Sequence, residues 1–111
     1  MPYQAKPIHA AKAALFKTLG HPARVRILEL LREEEQPVGA LQDALELDSG
    51  GTSQHLAALR RAGLVETRRD GTSIFYRVAD AEVFALLEAG RTIVTHALER
   101  QQALLEEITA E

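Results

Sequence analysis

A mainly α-helical fold with one small β-hairpin is predicted by three observations. Apolar residues recur at three- and four-residue steps in several stretches, which is typical of amphipathic helices. Residues 64–69 and 73–78 are short β-prone runs joined around Asp70-Gly71. Asp-Gly between such runs indicates a hairpin with a type I′ turn, which needs positive φ at both central positions. Finally, the helical period continues from Ala81 to about Ile108, which predicts one long last helix.

The composition describes one small domain. The chain has 111 residues, of which 46% are hydrophobic and 26% charged, so its core is small and dimerisation would help to stabilise it. It has no cysteine, which excludes disulfides, thiolate nucleophiles and thiolate metal sites. No apolar run approaches the roughly 18 residues that cross a bilayer. The start of the chain has no apolar signal core, so we expect a cytoplasmic protein.

Residues 1–7, which include Pro2 and Pro7, are predicted to be a mobile arm, and residues 8–111 to be the folded domain. Apolar spacing predicts helices over residues 8–19, 23–33 and 38–47. A fourth helix follows the turn-rich segment 48–51 and is expected to start at Thr52 or to fray there. Each of Gly50 and Gly51 costs a helix roughly 1 kcal/mol relative to alanine, so replacing both by alanine is predicted to raise stability.

The last helix is apolar on two sides, and such a helix has to be covered twice. We expect its own domain to cover one side and a symmetry mate to cover the other, together with the apolar first helix. The sequence therefore predicts a homodimer formed through the first and last helices. The two sets of apolar positions are Phe84, Leu87, Val94, Leu98, Leu105 and Ile108, and Val83, Leu86, Ile93, Ala97 and Leu104.

A basic segment lies within this acidic chain. Residues 49–77 hold five arginines against two carboxylates, a net +3, whereas the whole chain carries a net charge of −3. A local basic surface is typical of proteins that bind a polyanion. Surface arginines are more often only solvated, but the order of helix, Ala-Gly-Leu-Val and Arg-Arg-Asp-Gly hairpin favours DNA binding.

The predicted elements, in the order α1-α2-α3-α4-β-β-α5, match a winged helix-turn-helix. Such a fold would place the fourth helix in the major groove with its N-terminal residues nearest the bases. The residues predicted to meet base edges are Ser49, Thr52, Ser53 and Gln54. Those predicted to meet phosphates are Arg60, Arg61, Arg68, Arg69 and Arg77, and Thr72 and Ser73 at the hairpin tip would add phosphate or minor-groove contacts.

The sequence resembles the ArsR/SmtB family of dimeric bacterial transcriptional regulators over nearly its whole length. The resemblance rests on residues 15–24 (LFKTLGHPAR), Ile27-Leu28 with Leu30-Leu31, Ser53-Gln54-His55-Leu56 with Leu59, Ala62-Gly63-Leu64-Val65, Arg69-Asp70-Gly71, and Phe75-Tyr76. It implies operator binding by a dimer whose interface is formed by the first and last helices. At the family position of His55 we favour a partly buried, structural histidine over one that contacts a phosphate. His21 is interpreted in the same way.

Many members of this family sense metals, so the resemblance raises two possible sites. The site on the third helix needs cysteines where this chain has Pro37 and Gly39, and it is absent. The site on the last helix has the pattern Asp-x-His, ten residues, His-x-x-His/Glu. Aligned from Asp80, this chain offers Asp80, Glu82, Ile93 and His96, and isoleucine is no ligand.

Other alignments leave the metal site open. His96 with Glu99 matches the last pair of the pattern, but the first pair then lies three residues too far upstream; a His–Glu pair at this spacing is also a common surface contact. His9 would be a further nitrogen ligand, as N-terminal ligands are in nickel-sensing relatives. Carboxylates with imidazole suit a borderline divalent ion, so Ni²⁺ is favoured over Zn²⁺ or Co²⁺.

Three other functions are alternatives to a metal-responsive regulator. One is a regulator of the same fold without a metal, which responds to a small molecule or a partner protein. Another is an interaction module that has lost DNA binding, which the complete arginine set disfavours. The third, an enzyme, is disfavoured because the sequence has no cysteine nucleophile and no glycine-rich phosphate loop.

Overall fold

A computed structural model describes Gln4 and residues 6–110 of the chain. It contains five helices and three short strands within those residues. Most of the predicted mobile arm, residues 1–3 and 5, lies outside the described residues. The elements are α1 (Pro7–Leu19), α2 (Pro22–Leu30), β1 (Gln36–Pro37), α3 (Val38–Leu45), α4 (Ser49–Arg61), β2 (Val65–Asp70), β3 (Ser73–Val78) and α5 (Glu82–Thr109).

The described chain forms two compact units, residues 1–81 with α1 to β3, and residues 82–111 with α5. The core of the first unit lies where α2, α3 and α4 contact one another and where α4 contacts β2. Fully burying a large apolar side chain contributes roughly 1.5–3 kcal/mol to the free energy of folding. The buried apolar residues of this unit are Ile27, Leu28, Leu31, Leu41, Leu56, Leu59, Leu64 and Val65.

Proline begins both of the first two helices. Pro7 and Pro22 each occupy the first helical turn, where the missing N–H would have had no helical acceptor. Pro7 therefore belongs to α1 and not to the predicted arm, whereas the predicted start of the second helix is confirmed to within one residue.

The second helix ends earlier than predicted, at Leu30 and not at Glu33. The three glutamates that follow are unfavourable at a helix C-terminus, where the helix dipole is negative. Residues 31–35 leave the helix and lead into β1, and the Glu35 carboxylate pairs with Arg68 of β2. The third helix also stops short of the predicted Leu47, because Glu46 adopts a left-handed conformation with φ 56°.

The sheet has three strands, in the order β1-β3-β2, and not the two strands of the predicted hairpin. β1 was not predicted; its two residues pair antiparallel with β3, Gln36 with Tyr76 and Pro37 with Phe75. Strands β2 and β3 form the predicted hairpin, and Asp70 pairs with Ser73.

The hairpin turn differs from the predicted type I′. Because Asp70 and Ser73 pair, Gly71 and Thr72 are the two loop residues. Gly71 has φ 64°, and Thr72 is not among the described non-glycine residues with positive φ. Positive φ at the first loop position alone is the pattern of a type II′ turn, which requires glycine there.

Candidate nucleic-acid interface

The exposed start of α4 is the first part of the candidate interface. Asp48 is the N-cap, and its carboxylate accepts a hydrogen bond from the backbone N–H of Gly51 at 2.7 Å. This cap satisfies one of the free N–H groups of the first turn, so α4 begins at Ser49 and includes both glycines. The expected start at Thr52 is therefore wrong.

The earlier start changes which residues face outward. Ser49, Ser53 and Gln54 are exposed, as predicted for residues that meet base edges. Thr52 is fully buried, and its hydroxyl donates to the backbone oxygen of Asp48 at 3.0 Å. The predicted role of Thr52 at base edges is thus wrong, because its side chain stabilises the first turn of α4.

All five arginines are exposed, and for three of them the described part of the chain contains no ion-pair partner: Arg60, Arg61 and Arg69. Arg60 and Arg61 lie in the last turn of α4. At 1.5 Å per residue they are roughly 16 Å along the helix from Ser49. They therefore lie beyond the residues predicted to read bases.

The other two arginines are paired with carboxylates. Arg68 donates to both oxygens of Glu35, its Nε at 3.2 Å, and its guanidinium lies 4.8 Å from the centre of the Phe75 ring. Hydrogen bonding from Arg68 lowers the pKa of the Glu35 carboxyl below its ordinary value. The Nε of Arg77 donates to Glu66 at 2.7 Å. Contact of these two arginines with phosphates stays a prediction, and it would have to compete with these carboxylates.

Strand alternation separates the arginines of the hairpin. Arg68 and Arg77 are on one face, since Arg68 pairs with Phe75 and Glu66 with Arg77, whereas Arg69 is on the other face with Tyr76. Tyr76 lines a groove of about 430 Å³ together with Ser53 and Arg60 of α4. This groove between helix and hairpin was not predicted. Its signal in the sequence was the aromatic pair before Arg77. Thr72 and Ser73 are exposed at the hairpin tip, as expected.

His55 is held inside the first unit. Its Nδ1 accepts a hydrogen bond from Nε of Arg24 at 3.1 Å, and its ring centre is 5.9 Å from that of His21. Burial lowers the pKa of His55, and the charges of Arg24 and His21 lower it further. A neutral, half-buried histidine that accepts from Arg24 supports the structural interpretation.

The candidate metal ligands do not form a cluster in one chain. Among the described residues, no group of three or more histidines and carboxylates is placed to hold an ion. Glu82 and His96 are fourteen positions apart on α5, which is roughly 21 Å along the helix. His9, an exposed residue of α1, adds no third ligand to them within the chain.

α5 carries a row of exposed apolar residues on one side. Ile93, Val94, Leu98, Leu104, Leu105 and Ile108 are 54–66% exposed. With 3.6 residues per turn, His96 lies about 60° around the helix axis from Ile93, at the edge of this row. Glu99 lies about 120° around the axis from Ile93. On α1, Ile8 and Phe16 are also more than half exposed, at 55% and 56%.

No helix within the described residues has the length and apolar character needed to cross a membrane. Residues 19–68 match a helix-turn-helix domain family. These residues extend from the end of α1 into β2 and include the whole of α4.

The chain is also similar to named proteins and solved structures. It is 43% identical to the uncharacterised HTH-type transcriptional regulator Rv0081 of Mycobacterium tuberculosis, over 96% of this chain and 95% of the relative. The crystal structure of that relative has a TM-score of 0.80 and covers 87% of this chain and 98% of its own. The transcriptional activator HlyU of Vibrio cholerae is 43% identical over 72% of this chain and 75% of its own.

A third similar structure is the homodimeric winged helix-turn-helix DNA-binding domain of Mb0332 from Mycobacterium bovis, described as a possible ArsR-family regulator. It is 32% identical, has a TM-score of 0.75, and covers 90% of this chain and 95% of its own.

Proposed function

Because the chain belongs to the ArsR/SmtB family of winged helix-turn-helix transcriptional regulators, we propose that it binds operator DNA as a homodimer, with α4 in the major groove. In this arrangement Ser49, Ser53 and Gln54 approach base edges, and the β2–β3 wing lies against the flanking backbone. The observation that carries the proposal is the exposed, capped polar start of α4, which needs no rearrangement before it enters a groove.

The exposed cations supply the electrostatic part of binding. Arg60, Arg61 and Arg69 have no ion-pair partner among the described residues, so each can meet a phosphate without first giving up a carboxylate. Tyr76 and Ser53 line the groove between helix and wing, where the backbone of one DNA strand would pass. Phosphate contacts of this kind position the protein and make its affinity salt-dependent, whereas the polar groups of α4 select the sequence.

A homodimer accounts for the exposed apolar residues of α1 and α5. Two copies joined through these helices would place two recognition helices on successive major grooves, about 34 Å apart, and would read a palindromic site. The homodimeric domain of Mb0332 supports this assignment.

The proposal is tested with a duplex selected by the protein from a random library. Gln54→Ala should weaken binding to the selected duplex by about 1–3 kcal/mol and relax the preference at one base pair. Arg69→Gln should weaken binding to the selected and the scrambled duplex equally. It should also reduce the slope of log affinity against log salt concentration by about one. Fluorescence anisotropy at several salt concentrations measures both quantities.

Arg26→Gln is the control for these two variants, because Arg26 is exposed on α2 and pairs with Glu29. If Gln54→Ala weakened the selected and scrambled duplexes equally, α4 would not be the element that reads bases.

A divalent ion is proposed as the effector, with Ni²⁺ favoured over Zn²⁺. His96 and Glu99 are one turn apart on α5 and offer nitrogen and oxygen, which suit such an ion. Because one chain brings no third ligand to them, Asp80, Glu82 or His9 would have to come from the partner subunit. An ion that links two subunits would favour one spacing of the two recognition helices. The size of this effect is limited by the difference between the ion's affinities for the two arrangements.

Calorimetric titration of the dimer with Ni²⁺ and Zn²⁺ tests the effector. His96→Ala and Glu99→Gln should each reduce affinity at least about tenfold, whereas Glu107→Gln on the same helix should not. Operator affinity measured with and without the ion then tests regulation. Equal binding by His96→Ala and the unaltered chain would exclude the metal and favour a small-molecule or protein effector.

A further inference from the structure

The cleft between α1, the start of α2 and the end of α4 is a second concave surface, which shares Arg61 with the groove beside the wing. Its volume is about 580 Å³. That volume is within the roughly 300–1,000 Å³ of small-molecule sites. Alanines of α1 and α4, with Leu15, form its apolar walls, and its polar lining is Lys17, Thr18, His21, Arg24 and Arg61.

The charge of this cleft has one sign. Lys17, Arg24 and Arg61 line it, and none of the described residues that line it is a carboxylate. The chain as a whole has a net charge of −3, so this concentration of positive charge is local. A concave surface lined by charges of one sign attracts a counter-ion more strongly than the same charges do on a flat surface.

Arg24 is the residue that makes the cleft specific. It is half-buried; its Nη1 donates to the backbone oxygen of Thr18 at 3.2 Å and its Nε to His55 at 3.1 Å. Both acceptors are uncharged, since burial lowers the pKa of His55 and favours the neutral ring. Within the described residues Arg24 has no carboxylate partner. A guanidinium has five N–H donors, so donors remain for a ligand.

We propose that this cleft binds a small amphipathic carboxylate, whose charged group pairs with Arg24, Lys17 and Arg61 and whose apolar body lies along the alanine walls. The ligand supplies the counter-charge that a partly desolvated guanidinium lacks in the free protein. Since Arg24 also bonds Thr18 of α1 and His55 of α4, the ligand binds where the first helix and the recognition helix are joined. Arg61 is shared with the proposed phosphate contacts to DNA, whereas the metal ligands of α5 do not enter this proposal.

The first experiment is an NMR titration of the ¹⁵N-labelled full chain with phenylacetate and with phenylacetamide, its uncharged analogue. Phenylacetate should produce saturable shifts of the amides of Ala14 and Ala58. Phenylacetamide should bind at least about tenfold more weakly than phenylacetate, because a charge-assisted hydrogen bond contributes more than a neutral one. Equal affinities for the two probes, or no saturable shift with either, would overturn the proposal.

Variants locate the site. Lys17→Gln and Arg61→Gln, both at exposed positions, should each weaken phenylacetate at least about threefold, whereas the exposed Arg26→Gln outside the cleft should leave its affinity unchanged. Ala14→Leu, which fills the cleft without removing a charge, should abolish binding, with light scattering as a check that the oligomeric state is unaltered. Unchanged affinity in the first two variants would contradict the proposal. Chemical shifts that change with protein concentration and not with ligand concentration would also contradict the proposal, since a second copy of the chain would then cover the cleft.

Discussion

α4 and α5 are both amphipathic helices, but only α4 has its apolar residues covered within its own unit. Leu56 and Leu59 of α4 are 1% and 0% exposed, and α4 contacts α2, α3 and β2. On α5, Val83 is buried, but the large apolar residues from Ile93 onward are more than half exposed. The recognition helix is therefore complete in a single chain, whereas the second half of α5 is stabilised only when another surface covers it. The proposed DNA reading and the proposed dimerisation thus depend on regions of different physical character.

The largest effect is expected from the same Leu→Ala change in the two regions. Leu59→Ala leaves a cavity in the core and should lower the free energy of unfolding by about 2–5 kcal/mol. Leu98→Ala, at a position that is 59% exposed, should change it only in a way that depends on protein concentration. Urea denaturation at two protein concentrations measures both. An equal loss at both concentrations for Leu98→Ala would show that α5 is already covered within one chain.

A charge on the exposed row of α5 gives the next effect. Val94→Glu, in the middle of this row, should raise the dissociation constant of the dimer by about 30-fold or more, because a buried interface position would hold an unpaired carboxylate. Ala103→Glu is the matched control, since Ala103 lies on the opposite side of the helix from the row. Analytical ultracentrifugation compares the two variants. Equal dissociation constants for the two variants would show that Val94 is not in the dimer interface.

The start of α4 allows a smaller and sharper test. Asp48→Ala removes the cap and should cost about 1 kcal/mol. Gly50→Ala should stabilise the protein by about 0.5–1 kcal/mol, because a Cβ there is 3.9 Å from the nearest Asp48 oxygen. Gly51→Ala should gain less or lose stability, since its Cβ would lie 3.0 Å from Oδ1 of Asp48, which bonds the Gly51 N–H.

Thermal unfolding of the three single variants and of the double glycine variant measures these changes, since 1 kcal/mol shifts the Tm by roughly 4–8 °C. The double replacement was expected to be stabilising from helix propensity alone. If Gly51→Ala were as stabilising as Gly50→Ala, the cap would tolerate displacement and would contribute little to the first turn.

Local patterns were sufficient for the helices and the hairpin. The apolar period and the prolines predicted α1 and α2, and Asp70-Gly71 predicted the hairpin, because each signal lies within a few residues of the structure that it specifies. The Asp48 cap explains why the predicted helix start at Thr52 is wrong. Helix propensity alone counts two glycines against a start at Ser49, but the Asp48 carboxylate offsets part of that cost and moves the start by one turn.

Contacts between distant residues were beyond the same reasoning. β1 has two residues and no alternation, and it exists because Gln36 and Pro37 meet Tyr76 and Phe75 some forty positions later. The partner of Arg68, Glu35, was missed for the same reason, whereas Glu66 lies directly opposite Arg77 in the hairpin and follows from its register. The proposed metal ligands differ again, since among the described residues of one chain no group of three or more histidines and carboxylates is placed to hold an ion.

The smallest expected effect concerns the ion pair between Glu35 and Arg68, which joins β2 to the segment before β1. Arg68 lowers the pKa of Glu35 below its ordinary value of 4.5, so the folded protein holds this proton less tightly than the unfolded chain does. The contribution of Glu35 to stability is therefore present above about pH 4.5 and is lost as the pH falls through the lowered pKa. Urea denaturation between pH 6 and 3 should show a shallower acid-side decline in Glu35→Gln than in the unaltered chain, whereas Glu34→Gln should leave the decline unchanged. The same decline in Glu35→Gln would mean that this pair, unlike the buried leucines of α4, contributes nothing to holding the wing in place.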